Sequence, residues 1–143
     1  MKIKVIRINE TELPKYETVG SAGMDVRANI KEPVTLAPGA IKLIPAGLKV
    51  EIPLGYELQV RPRSGLALKH GLGMANSIGT IDSDYRGEIG VIAINFSDKP
   101  YTIQPEERIA QLVLNKVEQI EWVEVTELGT TERGAGGYGH TGK

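Results

Sequence analysis

Apolar and polar side chains alternate with a period of two through much of the chain, and that alternation predicts strands. Ile3-Lys-Val5-Ile6-Arg-Ile8 opens the sequence in this way, and Tyr56-Glu-Leu58-Gln-Val60-Arg61 sends every second side chain to one face. The stretch from Ile41 to Ile52 is strand-like but broken by Pro45-Ala-Gly47. Glu88 to Phe96 is apolar at nearly every position, and Arg108 to Val117 and Gln119 to Val125 follow as further strands. The denser of these are expected to be buried on both faces. Turn chemistry such as Ser97-Asp-Lys-Pro100 separates them. Only Ser64 to His70 reads as a helix, and a short one. Strands joined by turns of a few residues, with a single short helix, predict an all-β fold, a sandwich or barrel of jelly-roll type.

Composition narrows this reading. At 143 residues the chain should hold one domain with one core, and no linker divides it. With a single Phe and a single Trp, that core must be built from Ile, Val and Leu. Phe96 and Trp122 then read as core or interface packing and not as ligand contacts. A formal net charge of −1 argues against a protein that coats nucleic acid. There is no N-terminal apolar run for export and no segment long enough to cross a bilayer, so no membrane partner is expected. With no cysteine as well, a cytoplasmic protein is the simplest expectation. Two histidines and no cysteine cannot supply the three soft or imidazole ligands of a zinc deaminase, so any metal should be a hard ion such as Mg²⁺ held by Asp or Glu.

Several segments break the strand pattern. Arg61-Pro-Arg63-Ser64-Gly65 gathers cationic, hydroxyl and glycine groups where the helix begins. It reads equally as an anion site or as an N-cap with solvated charges. His70 reads as a helix C-terminal or structural histidine. Asn76-Ser-Ile-Gly79-Thr-Ile81-Asp82-Ser83-Asp84-Tyr85-Arg86-Gly87-Glu88 sets three carboxylates about an aromatic ring, as a loop or hairpin tip. Asp82 follows apolar Ile81, and partial burial there would suit a general base that activates water; a solvated turn is the alternative. Asp25, in Ala22-Gly23-Met-Asp25-Val-Arg27, stands where a core-facing strand does not want charge, unless it bonds to backbone N–H groups. Gln111 lies within an apolar run and must find partners, either backbone groups or a ligand.

The last eleven residues, from Arg133 to Lys143, hold little that could fill a core. Their glycines let backbone approach a ligand, Arg133 offers a planar fork for phosphate, and Tyr138 offers a face for a base. A disordered terminus is the plainer account. Gly134-x-Gly136-x-x-Gly139 and Gly137-x-x-x-x-Gly142-Lys143 formally match dinucleotide and Walker A loops. Each needs a helix directly afterward, and the sequence leaves no residues for one.

In order, these segments resemble the five motifs of the homotrimeric dUTP diphosphatase (dUTPase) family. They are Ala22-Gly23-Met-Asp25, Pro62-Arg63-Ser64-Gly65, Gly79-Thr-Ile81-Asp82-Ser83-Asp84-Tyr85-Arg86-Gly87, Arg108-Ile-Ala-Gln111-Leu112 and Arg133-Gly-x-Gly136-Gly137-Tyr138-Gly139. The resemblance spans essentially the whole chain. It implies a jelly-roll barrel over 1–132, assembled as a trimer whose active sites lie between subunits. It also implies a mobile arm over 133–143 that closes on a site. The implied reaction is hydrolysis of dUTP to dUMP and pyrophosphate, which limits uracil incorporation into DNA and supplies dUMP for thymidylate synthesis.

Roles carried by the resemblance follow residue by residue. Asp82 matches the base that activates water for in-line attack on the α-phosphorus. Asp25 matches the residue that holds Mg²⁺ through water. Arg63, Ser64, Gly65 and Gln111 match phosphate contacts, and Arg133 the γ-phosphate contact. Asn76, with the backbone through Gly79 and Ile81, matches the uracil pocket, and Tyr85 the ring against the deoxyribose. Gly136 and Gly137 belong to the arm, and Tyr138 would stack on uracil. The family more often has phenylalanine at Tyr138 and serine at His140, and no role is assigned to His140. The related deoxycytidine triphosphate deaminase branch shares the barrel and uses a catalytic glutamate, for which Glu88 is the candidate. The Gly79 to Tyr85 run and the complete arm favour the diphosphatase. A non-catalytic nucleotide-binding module is the other alternative, and nothing the chemistry requires is missing from the motifs.

Overall fold

The computed structural model describes residues 1–137. Eleven strands and one helix follow in order: β1 (Lys4–Arg7), β2 (Met24–Arg27), β3 (Val34–Leu36), β4 (Ile41–Pro45), β5 (Leu48–Glu51), β6 (Tyr56–Pro62), α1 (Ser64–His70), β7 (Leu72–Met74), β8 (Gly79–Ile81), β9 (Gly90–Asn95), β10 (Tyr101–Ile103) and β11 (Arg108–Lys116). All pairings are antiparallel. β1 pairs with β5 and β3 with β10, while β2-β11-β6-β8 and β4-β9-β7 form the larger sheets. Backbone bonds from Ala28 N–H to Glu107 O, Asn29 N–H to Pro45 O and Ile89 N–H to Leu48 O stitch the sheets together as a jelly-roll barrel.

The core is aliphatic, as composition demands. Val26, Leu36, Ile44, Leu48, Val60, Ile89, Val91 and Ile103 are buried completely or nearly so. β6 delivers Leu58 and Val60 inward through its period-two pattern. Asn95 is also fully buried. Its Nδ2 donates to Leu36 O and Lys99 O, while its Oδ1 accepts from the Ser97 N–H and hydroxyl. Every polar atom of that side chain is therefore matched, and the 97–100 turn is pinned to the barrel.

Three expectations are corrected here. β9 is not buried on both faces: Val91, Ala93 and Asn95 point inward, while Ile92 and Ile94 are only half-buried. Beside them Ile41, Leu43 and Phe96 are exposed, so Phe96, at 68% exposure, is not core. Residues Gln119 to Val125 form no strand, because none of the barrel's own strands pairs with them, and Trp122 is 87% exposed. Regular structure stops at Lys116 among the described residues. Finally, the segment from Asn76 to Asp82 is not a hairpin tip. β7 pairs with β9 and β8 with β6, so the turn between them carries the chain from one sheet to the other.

The helix falls where the sequence places it. Gly71 ends it in the left-handed conformation (φ 65°), and its bare Cα sits where a Cβ would meet Ser97 at 2.8 Å. Lys69 and His70 occupy the last turn, where positive charge suits the helix dipole. The His70 ring packs against Tyr101, 5.1 Å between centroids, which bears out a structural histidine.

Candidate active site

β2, β11 and β6 lie side by side, and their register brings the first group of predicted residues together. Gln111 faces Asp25 across one pairing and Arg61 across the other. Residues directly opposite share a face of the sheet, so these three polar side chains lie in one row. β6 then runs out through Pro62 into Arg63, which folds back over the row. Arg63 Nε donates to Asp25 Oδ1 at 3.1 Å and its guanidinium donates to Arg108 O at 2.9 Å. Gln111 Nε2 donates to the same Asp25 oxygen at 3.3 Å. Arg108 approaches the other oxygen, Oδ2, at 3.3 Å.

The Asp25 side chain is only 12% exposed, and two guanidinium groups and an amide compensate its burial. Gln111 thus satisfies its half-buried amide on a carboxylate. Two arginines against one aspartate leave a surplus of positive charge on a polar face, which favours an anion. Arg108 was quoted in sequence only as part of its motif. Its presence at the first position of a strand that also carries Gln111 was the signal that it belongs with the site.

Ser64 and Gly65 lie exposed in the first turn of α1, next to Arg63. The N-cap position belongs to Arg63, in extended conformation and with no side-chain capping bond. Ser64 is therefore not the N-cap, and its hydroxyl is free of that duty.

The second group lies along β8 and the turns at its two ends. Between β7 and β8 the backbone turns sharply, with Ser77 at φ 60° and the Ile78 N–H donating to Asn76 O at 2.6 Å. A Cβ on Gly79 would stand 3.2 Å from Asn76 Nδ2 and 3.4 Å from Val60 Cβ, so glycine lets the Asn76 amide lie close against bare backbone. Gly79 and Ile81 are half-buried at the sheet edge. Asp82, for which partial burial and a solvated turn were both open, is exposed in this chain, because β8 ends at Ile81 and the carboxylate falls in the following turn. It borders a hollow of about 640 Å³ shared with Tyr56, Glu57, Thr80, Asp84 and Val117. The turn beyond is closed by the Tyr85 N–H to Asp82 O and by Arg86, whose guanidinium donates to Ser83 O and Tyr85 O.

Glu88 is committed elsewhere. It accepts from the Gly47 N–H at 2.9 Å and so secures the bend between β4 and β5. That structural employment removes the glutamate on which a deaminase reading would rest. Tyr101 is engaged likewise: its hydroxyl donates to Glu107, and burial, followed by that bond and the carboxylate's charge, pushes its phenol well above the usual tyrosine range.

Arg133 lies on an exposed turn, where its Nε donates to Gly136 O at 2.8 Å. No hydrogen bond among the described residues joins it to the Asp25 group. Gly137 is also exposed, with open space where a side chain would be. Tyr138 and His140 fall outside the described residues. Among the described residues no helix is long and apolar enough to cross a membrane, and no three His, Cys, Asp or Glu side chains form a metal-binding group.

A family model for dUTPase matches residues 9–142. The chain belongs to the dUTPase family. It is 66% identical over 143 residues to the deoxyuridine 5'-triphosphate nucleotidohydrolase of Fusobacterium nucleatum, covering all of this chain and 98% of that protein. It is 52% identical over 142 residues to the enzyme of the same name from Finegoldia magna, covering 99% of each. Among solved structures, the Staphylococcus bacteriophage 80alpha dUTPase with dUPNHPP superposes with a TM-score of 0.90 at 27% identity, covering 99% of both chains. Membership of the dUTPase family accounts for the order of the motifs, four of which fold into the two groups of residues.

Proposed function

We infer that this chain is a dUTP diphosphatase, hydrolysing dUTP to dUMP and pyrophosphate. The observation that carries the inference is the end-to-end match to deoxyuridine 5'-triphosphate nucleotidohydrolases at up to 66% identity. The residues supply each requirement of the reaction. Asp82 takes a proton from water as the oxygen attacks the α-phosphorus, the bond from that phosphorus to the bridging oxygen breaks, and pyrophosphate departs with the electron pair. The arginine fork at Arg63, the Ser64 hydroxyl, the Gly65 N–H and the Gln111 amide receive phosphate oxygens, and Arg133 meets the γ-phosphate. Asn76 with the bare backbone at Gly79 and Ile81 reads the edge of uracil. The Tyr85 ring lies against the deoxyribose and rejects a 2′-hydroxyl. Gly136 and Gly137 let the arm approach, and Tyr138 stacks on the base.

Magnesium fits Asp25 in one way. Of roughly four acceptor sites on a carboxylate, three are taken by Arg63, Gln111 and Arg108, and the one remaining on Oδ2 suits a water better than a direct metal bond. A hydrated Mg²⁺ held by that single carboxylate would neutralise charge across the triphosphate.

The active unit is a homotrimer with shared sites. Beyond β11, Ile120, Trp122, Val123, Val125 and Leu128 are exposed on a segment that no strand of the barrel covers. Apolar side chains in that number call for a partner, and an extended segment gains both burial and backbone hydrogen bonds by joining a neighbouring subunit's sheet. The same arrangement lets an arm from one subunit close over the Asp25 and Asp82 groups of others.

The test is pyrophosphate release from dUTP, dTTP, dCTP and UTP with Mg²⁺, using the unaltered protein and Asp82→Asn. Turnover should be confined to dUTP and nearly lost in the variant. Equal turnover of dTTP, an unaffected variant, or ammonia released from dCTP would overturn the assignment.

A further inference from the structure

Tyr85 owes its position to the residue two places beyond it. Its hydroxyl donates to Glu88 O at 3.0 Å, so the ring reaches across Gly87 to touch backbone three residues on. A Cβ built on Gly87 would stand 2.2 Å from the Tyr85 hydroxyl oxygen, 2.4 Å from Cζ and 2.9 Å from Cε2. Any side chain there would occupy the space the ring now fills. Gly87 does not have a positive φ, so its backbone tolerates alanine. Within this chain, the three atoms nearest that Cβ all belong to the Tyr85 ring and its hydroxyl. Arg86 also holds the turn, its guanidinium bridging Ser83 O at 2.7 Å and Tyr85 O at 2.9 Å.

We propose that Gly87 is a positioning residue for sugar selectivity: it lets the Tyr85 ring lie on the backbone and anchor at Glu88 O, turning a mobile ring into a fixed wall. The proposal rests on the reading of Tyr85 as the surface against the deoxyribose. Rejection by clash needs a wall that does not yield, because a ring free to swing aside admits the extra hydroxyl at small cost. Tyr85 is 43% exposed, so a displaced ring has solvent to move into. Gly87→Ala should therefore displace the ring, which is what its Cβ meets first.

The experiment measures kcat/KM for dUTP and UTP in the unaltered protein, Gly87→Ala, Tyr85→Phe, Tyr85→Ala and the Gly87→Ala/Tyr85→Ala double variant. Gly87→Ala should lower the dUTP-over-UTP ratio by at least about tenfold. Tyr85→Phe, which keeps the ring and loses its anchor, should lower it less. In the Tyr85→Ala background, Gly87→Ala should change nothing further, since its effect passes through the ring. A ratio unchanged in Gly87→Ala while Tyr85→Ala lowers it would overturn the proposal and leave the sugar contact standing. So would a further loss from Gly87→Ala when the ring is already gone. A ratio unchanged by Tyr85→Ala would overturn both the sugar contact and the proposal. Should Gly87→Ala fail to fold, an unchanged ratio in Tyr85→Phe overturns the anchoring step by itself.

Discussion

Arg63 lies 38 residues beyond Asp25 in the chain, and its Nε donates to Asp25 Oδ1 at 3.1 Å. The carboxylate therefore acts on the arginine before any ligand arrives: together with Arg108 O, which accepts from the same guanidinium, it fixes the plane of the group. Holding a flexible arginine in place beforehand lowers the ordering cost of binding phosphate.

Asp25→Asn should reduce kcat/KM for dUTP roughly ten- to a hundredfold and raise the Mg²⁺ concentration that gives half-maximal rate. It should also lower unfolding free energy by about 1–3 kcal/mol, because Arg63 and Arg108 lose a nearly buried partner. Steady-state kinetics over a Mg²⁺ series, with urea unfolding, measure both. An unchanged Mg²⁺ dependence would remove Asp25 from the metal's surroundings.

Treatment with a chelator should abolish dUTP turnover while leaving the fold intact, since no metal-binding group braces the described barrel. Circular dichroism before and after chelation, followed by restoration with Mg²⁺, distinguishes the two effects. Loss of structure on chelation would contradict the outer-sphere role given to Asp25.

Trp122→Asp and Val123→Asp together should convert the trimer to monomers. Both side chains are exposed on the segment proposed to join a neighbouring subunit, where a charge would be buried unpaired. Sedimentation at working concentration reports the result, and activity should fall with assembly. A variant that remains trimeric would place the interface elsewhere.

Deleting residues 133–143 should leave the trimer assembled and reduce turnover severely. No residue in the described part of the arm is buried, so its loss removes no core. Sedimentation and pyrophosphate release on the same preparation check the two halves. Normal hydrolysis by the truncated chain would count against closure by the arm.

Alkaline stability should depend on Tyr101. Its phenol is raised above the ordinary tyrosine range by burial and by Glu107, so the folded state retains the proton where the unfolded chain has lost it. The resulting stability is fully present below about pH 10 and declines as pH rises beyond it. Tyr101→Phe should be less stable than the unaltered protein at neutral pH, with the difference shrinking on the alkaline side. Urea unfolding from about pH 8 to pH 11 measures this. A constant difference across that range would show that the hydroxyl does not titrate with unfolding.

The strands and the helix were legible because each follows from a local rule. β6 alternates cleanly, and α1 stops at a glycine that must be left-handed. Asp25 and Gln111 were legible as misfits, polar groups in runs where burial demands a partner. Their pairing was not, since sequence does not give the register of β11 between β2 and β6. Gln119 to Val125 carries a strand's pattern but has no strand beside it in its own chain, and pattern alone cannot say which chain provides a neighbour. For Asp82 the sequence left partial burial and a solvated turn both open, and the end of a strand decides between them. Apolar Ile81 marks the end of the sheet edge, and the next residue lies exposed in the turn that follows.

β11 is the last strand among the described residues, and it occupies an interior position between β2 and β6. A chain emerging from the ribosome N-terminus first must therefore carry two waiting strand edges, with a gap between them, until Arg108 to Lys116 is free to enter. The four-stranded sheet cannot close before that segment arrives, and a premature stop ahead of it forfeits a sheet and not merely a tail.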